Sequence, residues 1–169
     1  MDALVKAAED NEFYYTLFML ARTTGRRLGE IYEIQAKDFD FDKGIFKTCI
    51  LKRRKPIEKE AIMTPEISRM MNQYINKNHF RPDDYIFKKV TYRNIQYMTS
   101  AYGMKARINH RVSFHNFRHY FITELVRKGW SYDKIAKLTG HSSPATLVNY
   151  DHAVASDIKE DALEALKDM

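Results

Sequence analysis

The sequence predicts a mainly helical fold with a small antiparallel β-sheet inserted early in the chain. Three observations lead to this prediction. Most of the chain spaces its apolar residues as helices do. Residues 39–63 instead read as short strands separated by polar turns. The length of 169 residues, 44% of them hydrophobic, is enough for one domain with its own core.

Helices are predicted on both sides of the sheet, and most have a recognisable start or stop signal. Thr64 followed by Pro65 is typical of an N-cap and first turn, whereas Gly129 and Gly140 are typical of helix ends. The predicted helices are residues 11–24, Leu28–Ile34, Pro65–Asn76, Tyr92–Ala106, His115–Gly129, Ser131–Gly140, Ser143–Tyr150 and Ser156–Lys167.

Three strands are predicted between the second and third helices, at Phe39–Phe41, Ile45–Leu51 and Ile57–Met63. Asp42–Gly44 supplies the first turn between them. The second predicted turn, Lys52–Pro56, is almost entirely cationic. We expect it to form a solvated hairpin tip or to contact phosphate groups.

Charge and cysteine content favour an intracellular protein with an acidic partner. The formal net charge is +6 and the pI about 9.3, and nucleic acid is the commonest acidic partner of such a chain. Cys49 is the single cysteine, so no disulfide within the chain is expected, and no spacing resembles a zinc site. No apolar run is long enough to span a membrane, and the amino terminus lacks a signal-peptide layout. We expect a cytoplasmic protein that binds nucleic acid, with neither metal nor cofactor.

Four side chains near the carboxyl end suggest phosphate chemistry. His115 and Arg118 are three residues apart, so a helix places both on one side. His141 follows the helix-ending Gly140, and Tyr150 is flanked by polar residues that suit an accessible phenol. Each has a plainer interpretation, since exposed basic residues are common and tyrosine rings usually pack in cores.

A fifth candidate, Arg27, lies far away in sequence. Glu30 comes three residues later, at a spacing that lets its carboxylate hold the guanidinium and leave other donors available. The simpler interpretation is a surface ion pair.

The order of these residues resembles the tyrosine recombinase (phage integrase) family over nearly the whole chain. The most specific matches are His115-Asn116-Phe117-Arg118-His119, Thr139-Gly140-His141-Ser142-Ser143 and Tyr150. The resemblance also includes the Arg in Gly-Arg-Arg-Leu-Gly-Glu and a lysine in the hairpin. It implies the tyrosine recombinase catalytic-domain fold. Arg26 departs from the family pattern, because an apolar residue is usual at that position.

The resemblance implies a role for each candidate. Arg27 and Arg118 would be the two catalytic arginines, with Glu30 as the support of Arg27. His115 would assist proton transfer from the nucleophile, His141 would hydrogen-bond the scissile phosphate, and Tyr150 would attack it. The hairpin lysine corresponds to Lys52 or Lys55, of which we choose Lys52. The remaining expected DNA contacts are Arg53, Arg54, Lys55, Arg107 and Arg111.

The implied activity is site-specific recombination of double-stranded DNA, with copies of the protein forming a tetramer on DNA. Residues 1–169 would be a catalytic domain without the family's amino-terminal DNA-clamping domain, and residues 156–169 would form a helix that caps its own core or docks on a neighbour. Two alternatives stay open. The region from Ser131 to Tyr150 also resembles a helix-turn-helix regulator without catalysis, and type IB topoisomerases share the same set of residues.

Overall fold

The computed structural model describes residues 1–52, 55–141 and 144–147, with only the backbone considered at 50–52, 55–57, 144 and 146. The chain divides into two compact units, residues 1–118 and a second unit that begins at His119. Among the described residues, no helix combines the length and apolar character needed to cross a membrane.

Seven α-helices occur in the described part of the chain. They are α1 (Asp2–Ala7), α2 (Glu12–Thr24), α3 (Leu28–Tyr32), α4 (Pro65–Lys77), α5 (Tyr92–Lys105), α6 (His115–Arg127) and α7 (Tyr132–Thr139). Short 3-10 turns cover Ala36–Asp38 and Pro144–Leu147. The strands are β1 (Phe39–Asp40), β2 (Ile45–Lys52) and β3 (Lys55–Ile62).

Side-chain caps and left-handed glycines fix the ends of several helices. The Asn11 side chain accepts a hydrogen bond from the Tyr14 N–H at 3.3 Å, and the Thr64 hydroxyl accepts one from the Ile67 N–H at 3.3 Å. Gly25, at φ 62°, ends α2, and Gly140, at φ 75°, ends α7, because glycine adopts this conformation without a Cβ penalty. These local signals explain why both helices stop where the sequence predicts.

The three strands form one antiparallel sheet in the order β1-β2-β3. The β2–β3 ladder extends from Ile45 opposite Ile62 to Lys52 opposite Lys55. The predicted five-residue turn at Lys52–Pro56 is therefore wrong, because both lysines belong to the ladder. Pro56 fits within β3 because this strand is at the edge of the sheet, where a missing N–H breaks no pairing with a further strand.

Aromatic rings form the centre of the core in the first unit. The ring of Phe18 in α2 lies 5.2 Å from that of Phe117 and 6.4 Å from that of Phe114, measured between centroids. Phe18 and Phe117 have no exposed surface. Burying each such ring stabilises the fold by about 1.5–3 kcal/mol, so this cluster holds the first turn of α6 against α2.

The second unit has a smaller core of its own. Ile122 of α6, Ile135 and Ala136 of α7, and Leu147 of the last 3-10 turn are buried together. The apolar residues recur on one side of α7, whose charged residues Asp133, Lys134 and Lys137 are exposed.

The predicted fold class, mainly helical with a three-stranded antiparallel sheet, is confirmed, with differences at element ends. The predicted helix Leu28–Ile34 corresponds to α3, which ends at Tyr32, two residues earlier. Sequence periodicity missed α1, since a helix of six residues is too short to show a repeat, although its Leu4 and Val5 are buried. The predicted helix Ser143–Tyr150 has a 3-10 turn at Pro144–Leu147, and the predicted helix Ser156–Lys167 lies outside the described residues.

Candidate active site

Arg27 and Glu30 form the first part of the site at the corner between α2 and α3. The Glu30 carboxylate accepts one hydrogen bond from the Arg27 backbone N–H at 3.1 Å and a second from its Nη1 at 3.0 Å. The Glu30 side chain is only 5% exposed, whereas that of Arg27 is 42% exposed. The surface ion pair considered from the sequence is therefore wrong: a buried carboxylate holds a guanidinium whose remaining face is accessible.

Arg118 reaches the same corner from α6. Its Nη1 donates a hydrogen bond of 2.9 Å to the carbonyl oxygen of Gly25, which ends α2. The carbonyl end of a helix carries partial negative charge, so it is a favourable acceptor for a cation. Arg118 is only 1% exposed, which contradicts the alternative of an arginine on the solvated face of its helix.

His115 is the first residue of α6 and is exposed. The start of the helix is fixed by Asn116, whose side-chain oxygen accepts hydrogen bonds from the Ser113 N–H at 2.8 Å and hydroxyl at 2.9 Å. The buried rings of Phe114 and Phe117 hold the same turn. His115 is thus an accessible imidazole on a rigid base.

Arg27, Arg118 and His115 line one cleft of about 800 Å³ in the first unit. Of the described residues that line it, none is acidic and five are arginines. The charged lining residues are Arg26, Arg27, Arg93, Arg111 and Arg118. His115 and the N-terminal end of α6, which carries partial positive charge, also face the cleft. This environment suits a polyanion such as a phosphodiester backbone.

Arg26 is the residue whose placement the sequence did not predict. It is 2% exposed, and its Nη2 donates to the backbone carbonyl of Glu60 in β3. Its Nε and Nη1 are buried and have no hydrogen-bond partner among the described residues. Burial lowers the pKa of the Arg26 guanidinium, an effect that Glu30 opposes and Arg27 reinforces.

Lys52 is the last residue of β2, and its backbone pairs with that of Lys55 at the end of the hairpin. Their side chains, together with Arg53 and Arg54, lie outside the described residues. Of the other expected DNA contacts, Arg111 lines the cleft. Arg107 is exposed at φ 56° in the loop that follows α5 and is absent from the described lining of the cleft.

His141 lies in the second unit, directly after Gly140. The Thr139 hydroxyl donates to the Ile135 carbonyl at 2.6 Å and lies 2.7 Å from Nδ1 of His141. Because the single hydroxyl proton is already used, Nδ1 must carry a proton and donate to Thr139. This contact fixes the orientation of the half-buried ring. Tyr150, the expected nucleophile, lies outside the described residues.

Helix α5 contributes a side of the cleft that the sequence predictions overlooked. Arg93, Gln96, Tyr97 and Ser100 line it, with Met104 one turn further along. Their spacing of three, four and seven residues places them on one helix face, and this pattern was available in the sequence. Tyr97 is 69% exposed and Met104 70% exposed, so this face of the first unit is open to solvent.

The amino-acid sequence is similar to those of curated tyrosine recombinases, at moderate identity. A tyrosine recombinase of Pseudothermotoga lettingae is 26% identical over 166 residues, covering 96% of this chain and 57% of the relative. The tyrosine recombinase XerA of Pyrococcus furiosus is 27% identical over 154 residues, covering 85% of this chain and 51% of the relative. The chain thus spans little more than half the length of these two proteins.

Solved structures show the same fold. The crystal structure of an XerA recombinase matches with a TM-score of 0.81 and 27% identity, over 97% of this chain and 62% of that one. XerH site-specific recombinase, bound to its palindromic difH substrate after cleavage, matches with a TM-score of 0.76 and 19% identity, over 95% of this chain and 50% of that one. The model of the phage integrase family matches residues 1–156. Because this match covers most of the 169 residues, the chain belongs to the phage integrase family of tyrosine recombinases.

Proposed function

We propose that this chain carries the catalytic centre of a site-specific DNA recombinase that cuts and rejoins DNA strands through a tyrosine. The observation that carries the proposal is the cleft where Arg27, held by buried Glu30, and Arg118, held by the Gly25 carbonyl, meet with no acidic residue among the described lining. Family membership and the DNA-bound XerH neighbour support the same substrate.

In the proposed cleavage step, the Tyr150 oxygen attacks the scissile phosphorus. A bond forms between that oxygen and phosphorus, and the bond from phosphorus to the 5′ oxygen breaks. His115 accepts the phenol proton, and Lys52 or Lys55 protonates the departing 5′ oxygen. The products are a 3′-phosphotyrosyl link and a free 5′-hydroxyl, so atoms and protons balance.

The arginines would act on the phosphate itself. In the transition state the non-bridging oxygens gain negative charge, which fixed guanidinium groups on Arg27 and Arg118 would offset. His141 would hydrogen-bond the same phosphate. With Nδ1 donating to Thr139, its other ring nitrogen, Nε2, donates to an anion when the imidazole is protonated.

Strand exchange follows from reversing this step with a different 5′-hydroxyl. The phosphotyrosyl link conserves the energy of the broken phosphodiester, so rejoining to a partner strand needs no ATP. Because two DNA sites must be brought together, we propose that copies of the chain associate on double-stranded DNA.

The proposal is tested by covalent trapping on DNA nicked beside the cleavage site. The short strand released by cleavage then diffuses away, which prevents religation and leaves protein bound to DNA. We expect an adduct with the natural chain and none with Tyr150→Phe, which should still bind DNA. Tyr15→Phe, at a partly buried tyrosine of α2, is the matched control and should form the adduct normally.

Three results would contradict the proposal. An undiminished adduct with Tyr150→Phe would exclude this residue as nucleophile. DNA binding without any adduct in the natural chain, unchanged by Arg118→Ala, would indicate a regulator. Cleavage accompanied by relaxation of plasmids that lack a specific site would point to a topoisomerase-like activity.

A further inference from the structure

We propose that Arg26 is a positioning residue that acts through the β2–β3 hairpin, holding its lysine in place to protonate the departing 5′ oxygen. The inference rests on the proposed function. Its structural basis is the hydrogen bond from Arg26 Nη2 to the Glu60 carbonyl, which joins the arginine corner to β3.

The position of this bond in the hairpin connects Arg26 to the end that carries the two lysines. Glu60 pairs with Lys47, and the ladder continues for five further residue pairs to Lys52 opposite Lys55. At about 3.3 Å per residue, the lysine end lies about 16 Å beyond the bond. Because the two strands are paired residue by residue, a shift of β3 at Glu60 is carried along the ladder towards this end. The contact should therefore influence the position of the backbone at Lys52 and Lys55.

Core stability alone does not account for an arginine at this position. Arg26 is almost fully buried, yet its Nε and Nη1 have no acceptor among the described residues. The carboxylate of nearby Glu30 already bonds to Arg27 twice. A buried cation with unsatisfied donors is unfavourable compared with an apolar side chain of similar volume. Its one bond reaches the hairpin, which indicates a role there.

Arg26→Met tests this role because methionine fills a similar volume without donors or charge. We expect the Tm to equal or exceed that of the natural chain, while single-turnover cleavage slows. Since general acid catalysis contributes about 10²–10⁴-fold, losing part of it should slow cleavage by roughly 10- to 100-fold. Arg81→Met removes an exposed arginine outside the described cleft lining and should leave the rate unchanged.

The decisive measurement uses DNA in which sulfur replaces the bridging 5′ oxygen at the scissile phosphate. A thiol ionises near pKa 8.5, so a thiolate departs without being protonated. On the sulfur substrate, the cleavage rate of Arg26→Met should therefore be within about threefold of that of the natural chain. This difference is far smaller than the slowing expected on ordinary DNA, where general acid catalysis is needed. Lys52→Met and Lys55→Met are measured on both substrates. The lysine whose replacement slows cleavage of ordinary DNA but not of the sulfur substrate is the general acid.

The outcomes separate this inference from the proposed function. Equal slowing of Arg26→Met on oxygen and sulfur substrates would show action at the phosphate and overturn the inference, as would an unchanged rate on both. No adduct with the natural chain on either substrate would overturn the proposed function as well. If Arg26→Met does not fold, Arg26→Leu gives the same comparison, and failure of both to fold would show an essential structural role and refute the inference.

Discussion

Replacing Glu30 by glutamine tests whether this buried side chain holds Arg27 in place. The carboxylate accepts from both the backbone N–H and the Nη1 of Arg27, at 3.1 and 3.0 Å. A glutamine of the same shape has one carbonyl oxygen and one NH₂ group. Its carbonyl oxygen can accept from only one of the two Arg27 donors. Its NH₂ group then faces the second donor, which loses its acceptor.

The expected cost follows from the burial of the two partners. A hydrogen bond to a charged group contributes about 1.5–3 kcal/mol, and a buried unsatisfied donor costs about 1–3 kcal/mol. Glu30 is buried, but the Arg27 guanidinium is 42% exposed, so water compensates part of its loss. We therefore expect Glu30→Gln to lower the free energy of unfolding by about 2 kcal/mol. For a chain of this size the Tm should fall by about 4–8 °C.

The same substitution should slow cleavage. If the full 2 kcal/mol is lost from stabilisation of the transition state, single-turnover cleavage falls by about 30-fold. The assay is adduct formation with enzyme in excess, at a temperature where the variant is fully folded. Thermal unfolding provides a second measurement that does not depend on the proposed function.

Glu33→Gln is the matched control, one turn along the chain at the end of α3. Glu33 pairs with Lys88 at 2.6 Å, and the two side chains are 41% and 31% exposed. An exposed pair contributes about 0–1 kcal/mol, so this variant should unfold and cleave almost as the natural chain does. Equal effects of the two substitutions, or none from Glu30→Gln, would refute the argument that Glu30 supports Arg27.

Two further predictions concern the stability of the first unit. Burial raises the pKa of Tyr74 to about 12, so stability present below pH 10 should be lost as pH rises towards 12. Tyr74→Phe should remove about 2 kcal/mol of that alkaline loss in denaturant titrations, and an unchanged alkaline loss in this variant would contradict the prediction. A Cβ on Gly103 would lie 2.8 Å from a Val112 methyl carbon, so Gly103→Ala should cost about 1–3 kcal/mol. Val112→Ala in the same chain should recover part of this cost, and strictly additive free energies would contradict the clash.

The sequence was most informative where one residue type has one local consequence. The Thr64–Pro65 start and the Gly25 and Gly140 ends are encoded within a few residues, and the structure has them there. The hairpin was harder to predict. Charged residues and Pro56 resemble a turn, and only the position of β3 at the sheet edge explains why they extend the ladder instead.

The burial of individual arginines could not be predicted from the sequence. Arg26 and Arg27 are adjacent and chemically identical, yet one is almost fully buried and the other is partly exposed. Their difference depends on where β3 passes, which is a property of the tertiary structure. Arg118 likewise differs from a surface arginine in its burial and in its bond to Gly25, 93 residues earlier.

The orientations of Arg27 and Arg118 are fixed by the fold. Each arginine is held by a group that also ends or begins a helix: Gly25 closes α2, and Glu30 caps the first turn of α3. Forming these helix ends therefore orients both guanidinium groups, and under the proposed function it does so before DNA binds. Pre-oriented charge costs no reorganisation during reaction, which is the condition under which electrostatic stabilisation of a transition state is most effective. A substitution that loosens the α2–α3 corner should consequently reduce catalysis even when no charge is removed.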